Sequence, residues 1–218
     1  MIPRPWVVLL AAGGSLRFGR QKQLARIDGE TLLRRTACIA LASEPAGCVV
    51  VLGRHAARLA REVRDLPVAI VVNRAWRSGL GRSLATGIAA LPASARGALI
   101  LLADQVSIGP ADLELLAAAW RLDPQSIVAA RAGRVLRPPA ILPRRLFGLL
   151  LRLRGDRGAR DILRNPARRI VAIEIATAAV DIDRPEDFDR IRRSRAPVRR
   201  RRSARSSRSR RSKPSGAT

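Results

Sequence analysis

Residues 6–14 read WVVLLAAGG, an apolar run that ends in two glycines. A short, continuous apolar run bounded by turn residues is typical of a strand buried on both faces of a sheet, so we predict a strand over 6–10. Comparable runs follow at 48–52, 68–72, 98–102, 127–130 and 170–175. Segments with helical character separate these runs, at 31–42, 56–65, 83–91, 111–122, 144–153, 159–164 and 185–193.

This alternation of strands and helices predicts the α/β class. The expected architecture is a three-layer sandwich, in which helices cover both faces of a mostly parallel sheet. Ligands in such folds bind beyond the carboxyl ends of the strands. The functional residues are therefore expected in the loops that follow the strands.

Charge divides the 218-residue chain into two parts. The formal net charge is +25, and residues 192–218 contain eleven Arg and one Lys but no acidic residue. Such a segment buries too little apolar surface to offset its ordering entropy, so we predict one domain over 1–191 and a disordered basic tail over 192–218. The tail is a candidate for nucleic-acid or anionic-surface binding. The alternative is a compositional extension, because the whole chain uses 40 Arg against 2 Lys.

Two features exclude broad classes of protein. No apolar run approaches the roughly 20 residues of a membrane span. Cys38 and Cys48 are the only cysteines and lack the spacing of a metal site. We therefore expect a cytoplasmic protein with free thiols, rather than a membrane protein or a secreted disulfide scaffold.

The loop after the first strand has the character of a phosphate-binding turn. Residues 10–22 read LAAGGSLRFGRQK, whose glycines can present backbone N–H groups to an anion, with Arg17 and Lys22 as candidate phosphate clamps. Gly14 and Gly19 have the Walker spacing, but the following residues are not Lys and Ser/Thr, and the glycines do not form a dinucleotide fingerprint. If the glycines alone are considered, an ordinary βα turn explains this loop as well as a phosphate-binding turn does.

Further polar residues follow the other strands. Residues 73–84 offer an amide, glycines and a hydroxyl to a base or ribose, although the same loop could simply cap a helix. Asp104 ends a buried strand, where a carboxylate needs a cation or hydrogen bonds. Alternatively, Asp104 could cap a helix. Asp181 and Asp183 lie on the same side of a predicted strand end and favour a divalent cation, although Asp183 could equally cap the helix at Pro185.

These stretches together resemble the MobA-like nucleotidyltransferases. Residues 10–22 resemble the signature LAAGxSxRMGxxK, with Phe18 in place of Met. Residues 73–84 resemble NxxWxxGxGxSL, residues 102–106 resemble LADQP with Val106 in place of Pro, residues 155–160 resemble GDxGAR and residues 181–187 resemble DIDTPED with Arg184 in place of Thr. These motifs point to the molybdenum cofactor cytidylyltransferases. Arg137 is the clearest departure, because Gly is usual there, and it bears on the acceptor. The resemblance implies a Rossmann-like fold of the nucleotide-diphospho-sugar transferase type.

The resemblance also implies an activity: transfer of CMP from CTP to the molybdenum-bound pterin, with release of pyrophosphate. Ala12, where guanylyltransferases generally have Gly, fits a pyrimidine. Implied partners are these small-molecule substrates and a molybdenum hydroxylase or its chaperone. Alternatives are another phosphate acceptor, GTP as the donor, or a nucleic-acid-binding protein that uses the tail.

Site residues carried over from the resemblance fall into four groups. They are Arg17, Lys22 and Asp104 for catalysis; Leu10, Ala11, Ala12, Gly13, Gly14, Ser15, Lys22, Asn73, Gly79 and Ser83 for the nucleotide; Asp104 and Asp183 for Mg²⁺; and Gly155, Asp156 and Arg160 for the acceptor. His55, Trp76 and Trp120 are interpreted as surface or packing residues.

Overall fold

The structure of the protein, a computed structural model, describes residues 3–15, 18–156, 158–165, 169–180, 182 and 185–195, with backbone alone at 160 and 191–195. Its strands are β1 (Trp6–Ala11), β2 (Arg26–Ile27), β3 (Glu30–Thr31), β4 (Gly47–Leu52), β5 (Ala69–Val72), β6 (Gly97–Leu102), β7 (Ile127–Ala132), β8 (Val135–Pro143) and β9 (Ile170–Glu174). Its α-helices are α1 (Leu32–Ala42), α2 (Ala56–Arg61), α3 (Leu80–Ala89), α4 (Pro110–Leu122), α5 (Phe147–Leu151), α6 (Ala159–Leu163) and α7 (Pro185–Arg195).

Within the described ranges, seven strands form one sheet in the order β5-β4-β1-β6-β8-β7-β9. Strand β1 pairs in parallel with β4 on one side and with β6 on the other. The chain therefore crosses over in opposite directions from β1, which creates a crevice at the carboxyl end of this strand. The prediction of a mostly parallel sheet is confirmed.

Two apolar cores cover the sheet and make it a three-layer sandwich. Val7, Leu9 and Ala11 of β1 pack on one face with α1, α2 and α4. Val8 and Leu10 alternate onto the other face, where α3, α5 and α6 supply the partners. Because successive strand residues point to opposite faces, a central strand covered on both sides has to be apolar throughout.

One long strand was not predicted. Strand β8 pairs antiparallel with both β6 and β7, and its register with β7 is interrupted between Ala129 and Ala130. Its sequence contains Arg137, Pro138 and Pro139, and prolines argue against a central strand because they cannot donate to the ladder. The irregular register shows how the sheet accommodates them.

Several predicted boundaries are corrected by the structure. The run at 68–72 is not buried, because β5 is an edge strand in which Ile70 and Val72 are 37% and 48% exposed. The helix predicted over 56–65 ends at Arg61, and that over 144–153 is a 3-10 turn followed by the five-residue α5. The small hairpin of β2 and β3 carries no apolar run and was missed.

The end of the chain is described only in part. Helix α7 extends to Arg195, past the boundary predicted at 192, and the rest of the predicted tail lies outside the described residues. None of the described helices combines the length and the apolar character needed to cross a membrane.

Gly87 sets how closely α3 approaches the sheet. A Cβ built at Gly87 would lie 2.4 Å from Cγ1 of Val8 and 2.9 Å from Cγ2 of Val51. Gly148 is also helical, but a Cβ there meets nothing within 4 Å. The glycine at 87 is therefore required by packing, whereas the one at 148 is not.

We expect Gly87→Ala to lower the free energy of unfolding by about 1–3 kcal/mol, because α3 must shift off β1 and β4. Gly148→Ala is the matched control and should be neutral or stabilising by up to about 1 kcal/mol, the gain in helix propensity. Urea denaturation of both variants measures the difference. Equal unfolding free energies would contradict the close packing of α3.

Candidate active site

A cleft of about 780 Å³ opens at the carboxyl end of β1. Its walls come from the glycine loop after β1, the loop between β5 and α3, the end of β6 and the loop before α6. The lining residues are Leu10, Ala12, Gly13, Gly14, Ser15, Lys22, Gln23, Trp76, Arg77, Gly79, Leu80, Ser83, Leu102, Ala103, Asp104 and Asp156. Segments far apart in the sequence thus meet at the place where this fold class binds its ligands.

The glycine loop is held by Gln23, a buried residue that the sequence analysis missed. Its Nε2 donates to the carbonyl oxygens of Ala11 at 3.3 Å and Gly13 at 3.2 Å, and its Oε1 accepts from Ser15 Oγ at 3.0 Å. Ser15 itself has a positive φ of 55°, which a non-glycine residue adopts only when its surroundings hold it. The loop is therefore fixed by a buried amide.

Lys22 and Asp104 meet in the cleft. Lys22 Nζ lies 2.5 Å from Asp104 Oδ2 and donates to the carbonyl oxygen of Ile182 at 2.8 Å. The two side chains are only 15% and 17% exposed. The backbone N–H of Lys22 donates to Ser15 Oγ at 3.1 Å, which ties the lysine to the glycine loop. Because this ion pair is largely buried, removing one partner would leave an uncompensated charge in the cleft, which is strongly unfavourable.

Asp104 does not act as a helix cap. Helix α4 begins six residues later and is capped at Gly109, whose N–H donates to Asp112. The Oδ1 atom of Asp104 is buried and has no hydrogen-bond partner among the described residues. Oδ2 of this carboxylate therefore pairs with Lys22, whereas the buried Oδ1 requires a cation or a hydrogen-bond donor.

The loop between β5 and α3 reaches the cleft, although not with every residue predicted. Gly79 and Ser83 line the cleft, but Asn73 is buried beneath it. Asn73 Nδ2 donates to Ser83 Oγ at 3.0 Å, and its Oδ1 accepts from the N–H of Ala75 at 3.0 Å. The amide thus shapes the loop from below, and Ser83 lies inside α3 instead of capping it.

The loop before α6 forms the remaining wall. Asp156 lines the cleft and also a second, adjoining cavity of about 310 Å³. Gly155 lies just behind this wall, where its carbonyl oxygen accepts from the N–H of Gly81 at 2.9 Å. The helix that follows is capped by Asp161, which accepts from the N–H of Gly158 at 2.7 Å. Asp156 therefore belongs to the wall of the cleft and does not cap α6.

Some predicted site residues do not line the cleft or cannot be placed. Ala11 points into the opposite core. Arg17, Asp181 and Asp183 lie outside the described residues, as does the side chain of Arg160. The two aspartates also do not follow a strand directly, because β9 ends at Glu174 and a 3-10 helix over Ala176–Ala179 intervenes.

The two thiols and His55 do not line the cleft. Burial raises the pKa of the Cys48 thiol to about 12, so this group is not a nucleophile at neutral pH. Cys38 lies on α1 outside the cleft lining. His55 is exposed at the start of α2. Trp76, interpreted as a packing residue, both packs on the core and lines the cleft.

Comparison with known proteins identifies the family. A family model described as the MobA-like NTP transferase domain matches residues 7–171. The chain belongs to this family. The MobA-like domain spans the glycine loop, the Asp104 strand end and the loop before α6, so the protein is a nucleotidyltransferase. The resemblance inferred from the sequence is confirmed.

Relatives of the MobA-like protein cover nearly its whole body. The purine catabolism protein PucB of Bacillus subtilis is 30% identical over 200 residues, which are 86% of this chain and 95% of PucB. Nicotine blue oxidoreductase of Paenarthrobacter nicotinovorans is 30% identical over 193 residues, 84% and 94% of the two chains. Rv0371c of Mycobacterium tuberculosis has a similar solved structure, with a TM-score of 0.79, 26% identity and coverage of 88% and 99%.

In the MobA-like domain, Gly79 lies where the loop between β5 and α3 touches the loop before α6. Its φ is +95°, and a Cβ there would lie 2.3 Å from the backbone carbon and oxygen of Gly155 and 2.7 Å from Asp156 Oδ1. Gly133 has a similar φ of +61° in the β7–β8 turn, but a Cβ there meets nothing within 4 Å. Both glycines have a positive φ, but Gly79 combines it with a ψ of 177°, a conformation open essentially to glycine alone, and with close neighbours.

We expect Gly79→Ala to destabilise the domain by about 1–3 kcal/mol more than Gly133→Ala, because only the former forces two loops apart. Both variants carry a backbone cost from positive φ, and at Gly79, whose ψ is 177°, this cost adds to that of the contact, so the difference between the variants reports the two together. Unfolding free energies from denaturant titration test this. Similar losses in the two variants would disprove the contact between the loops.

Proposed function

We propose that the protein transfers CMP from CTP to the terminal phosphate of a molybdenum-bound pterin and releases pyrophosphate. The observation that carries this proposal is one cleft in which the glycine loop, the Lys22–Asp104 pair and the Asp156 loop converge. Transfer of a nucleotidyl group requires a triphosphate site beside a second site for an anionic acceptor. The adjoining cavity at Asp156 supplies the space for that acceptor.

The triphosphate is assigned to the glycine loop. Backbone N–H groups in a loop fixed by Gln23 can receive phosphate oxygens without further ordering, which is the advantage of a preorganised anion site. Lys22 adds a compact positive charge at the same loop, and Arg17 is proposed to assist it. Charge neutralisation and positioning account for most of the catalysis in such phosphate chemistry.

A divalent cation is the cofactor that suits these residues. Asp104 has a buried oxygen that calls for a cation, and carboxylate oxygens are the ligands that Mg²⁺ prefers. Among the described residues no group of three His, Cys, Asp or Glu side chains gathers, so we propose Asp183, outside that part, as the second ligand. When bound, Mg²⁺ supplies charge neutralisation at the reacting phosphate. Rv0371c has also been solved as a complex with manganese, at a TM-score of 0.75 and 23% identity.

The attacking group needs no base from the protein. A phosphate acceptor is already ionised at neutral pH, so its oxygen can attack the α-phosphate directly. This fits a cleft whose described lining contains no His and no Cys. The protein then has to align the acceptor phosphate with the α-phosphate of the donor. Lys22 and the glycine loop hold the donor in this arrangement.

The proposed identities of the nucleobase and the acceptor rest on residues at two places around the cleft. Ala12 lines the cleft with a methyl group that reduces the room beside β1, which favours the smaller pyrimidine. Arg137, the departure from the family pattern, lines neither cavity and donates to the carbonyl oxygen of Ala178 at 3.3 Å. The neighbouring Pro138 does line the acceptor cavity. The departure therefore leaves the acceptor assignment in place.

We expect pyrophosphate release to require CTP, a divalent cation and the molybdenum-bound pterin together. Asp104→Asn should lower turnover about 10²-fold or more, the scale of losing one electrostatic contact to the transition state. Glu114→Gln is the control, because Glu114 pairs with Arg121 on the surface. Phosphate-release kinetics coupled to pyrophosphatase make the measurement. Preference for GTP would contradict the donor, and turnover only with another phosphate ester would contradict the acceptor.

Lys22 and a divalent cation compete for the same carboxylate. Since Lys22 Nζ lies 2.5 Å from Asp104 Oδ2, a metal ion on Asp104 must displace or repel the ammonium group. A triphosphate offers the ammonium group new partners. Nucleotide and metal should therefore bind cooperatively, each favouring the other.

We expect Lys22→Met to bind Mn²⁺, without nucleotide, about 5- to 150-fold more tightly than the wild-type protein, the usual range of such coupling. Lys213→Met removes the other lysine of the chain and should leave this affinity unchanged. Electron paramagnetic resonance of free Mn²⁺ gives the affinity, and circular dichroism checks that each variant is folded. Unchanged or weaker Mn²⁺ binding by Lys22→Met would refute the competition.

A further inference from the structure

Arg77 and Trp76 form a pair on the cleft wall that the proposed mechanism does not use. Both lie in a short 3-10 helix, Trp76–Ser78, between β5 and α3, and both line the cleft. The guanidinium carbon of Arg77 lies 4.7 Å from the centroid of the Trp76 ring. Trp76 is half-buried and packs on the core, so it offers a fixed surface beneath an exposed arginine.

This pair lies on the nucleobase side of the cleft. A Cβ built at Gly53 would lie 2.7 Å from Trp76 Cβ and 2.9 Å from Ala12 Cβ, so these two residues flank Gly53 closely. Gly53 follows β4, whereas Asp104 follows β6, and the two strands flank β1 on opposite sides. The wall formed by Trp76 and Arg77 thus adjoins Ala12, across β1 from the strand that carries Asp104.

The charge of Arg77 is available to a ligand. Lys22 and Arg77 are the cationic residues among the described lining of the cleft, and Lys22 is engaged with Asp104. Arg77 takes part in none of the ion pairs formed within the described ranges of the chain. Contact with the face of an aromatic ring occupies the face of the guanidinium group and leaves its N–H edge for other partners.

We propose that Arg77 is a specificity residue that reads the nucleobase. Its guanidinium group, held on Trp76, donates two parallel hydrogen bonds to N3 and O2 of cytosine. This inference rests on the proposed function, because it requires CTP in this cleft. Arginine carries five N–H donors in a rigid fork and no acceptor, so it selects a base edge with two adjacent acceptors.

The proposal makes a distinction that Ala12 alone cannot make. Uracil is as small as cytosine, so the room beside Ala12 admits both. Uracil carries a hydrogen at N3, which turns one of the two acceptors into a donor that faces the donors of Arg77. Two donors pointed at each other cannot form a hydrogen bond, and a site built for the bond rejects the base that lacks it. CTP is therefore favoured over UTP.

The test compares three ligands on four proteins by isothermal titration calorimetry. The ligands are CTP, UTP and inorganic tripolyphosphate, each with Mg²⁺, and GTP is titrated into the wild-type protein alone. The proteins are wild type, Arg77→Ala, Arg77→Lys and Arg74→Ala. Arg74 is exposed in the same loop and does not line the cleft, so it matches Arg77 in charge but not in position.

We expect Arg77→Ala to weaken CTP binding about 5- to 150-fold, the discrimination typical of a bidentate contact between arginine and a base, and to bring the CTP:UTP ratio close to one. Arg77→Lys should behave like Arg77→Ala, because an ammonium group lacks the fork. Tripolyphosphate affinity should stay constant in all four proteins. Arg74→Ala should match wild type throughout.

Two results would overturn the contact alone. The first is a wild-type preference for CTP over UTP that Arg77→Ala retains. The second is a loss of tripolyphosphate affinity in Arg77→Ala equal to the loss for CTP, which would make Arg77 a phosphate ligand. Wild-type protein that prefers GTP, or that binds no nucleotide, would instead refute the proposed donor and this contact together.

Discussion

Strand β1 is the constraint on which the rest of the molecule depends. It is hydrogen-bonded on both edges, and its side chains are almost completely buried on both faces. Such a strand cannot shift by one residue without exchanging the contents of the two cores. Its end is therefore a fixed point, from which the glycine loop departs and beside which β4 and β6 deliver Gly53 and Asp104.

Because β1 is buried and cannot change its register, the loops that meet at its end start from fixed positions and can form a site. Two of these loops are anchored by a polar side chain that bonds to the backbone or to a neighbouring side chain: Gln23 anchors the glycine loop and Asn73 the loop before α3. These amides are buried, so their hydrogen bonds are costly to break. Buried hydrogen bonds thus hold described parts of two cleft walls in place, which is the arrangement that preorganisation requires.

The sequence predicted the parallel part of the fold well because the physical signal there is strong. Runs such as 48–52 and 98–102 are short, continuous and apolar, a pattern that favours buried strands over longer amphipathic helices. Strand β8 was missed because Pro138 and Pro139 mask its pattern, and the exposure of β5 depends on which strand lies at the edge of the sheet. That position is decided by topology, which composition does not encode.

In the site, too, features with a local sequence signal were predicted, whereas features that depend on contacts between distant residues were not. Lys22 and Asp104 were found separately from their loops, but their contact spans 82 residues and could only be seen in three dimensions. Gln23 and Arg77 gave no signal, because an amide or an arginine near a glycine is common on any surface. Asn73 was assigned to the nucleotide, yet its hydrogen bonds are internal, since a residue type does not reveal which way it faces.

The packing of Gly79 against Gly155 means that the two loops on either side of the cleft are not separate modules. Backbone meets backbone there, and the N–H of Gly81 also bonds to the carbonyl oxygen of Gly155. Exchanging the loop before α6 for one from another protein would therefore give the loop before α3 a different surface to pack on. The two loops in this chain therefore have to be redesigned as one unit.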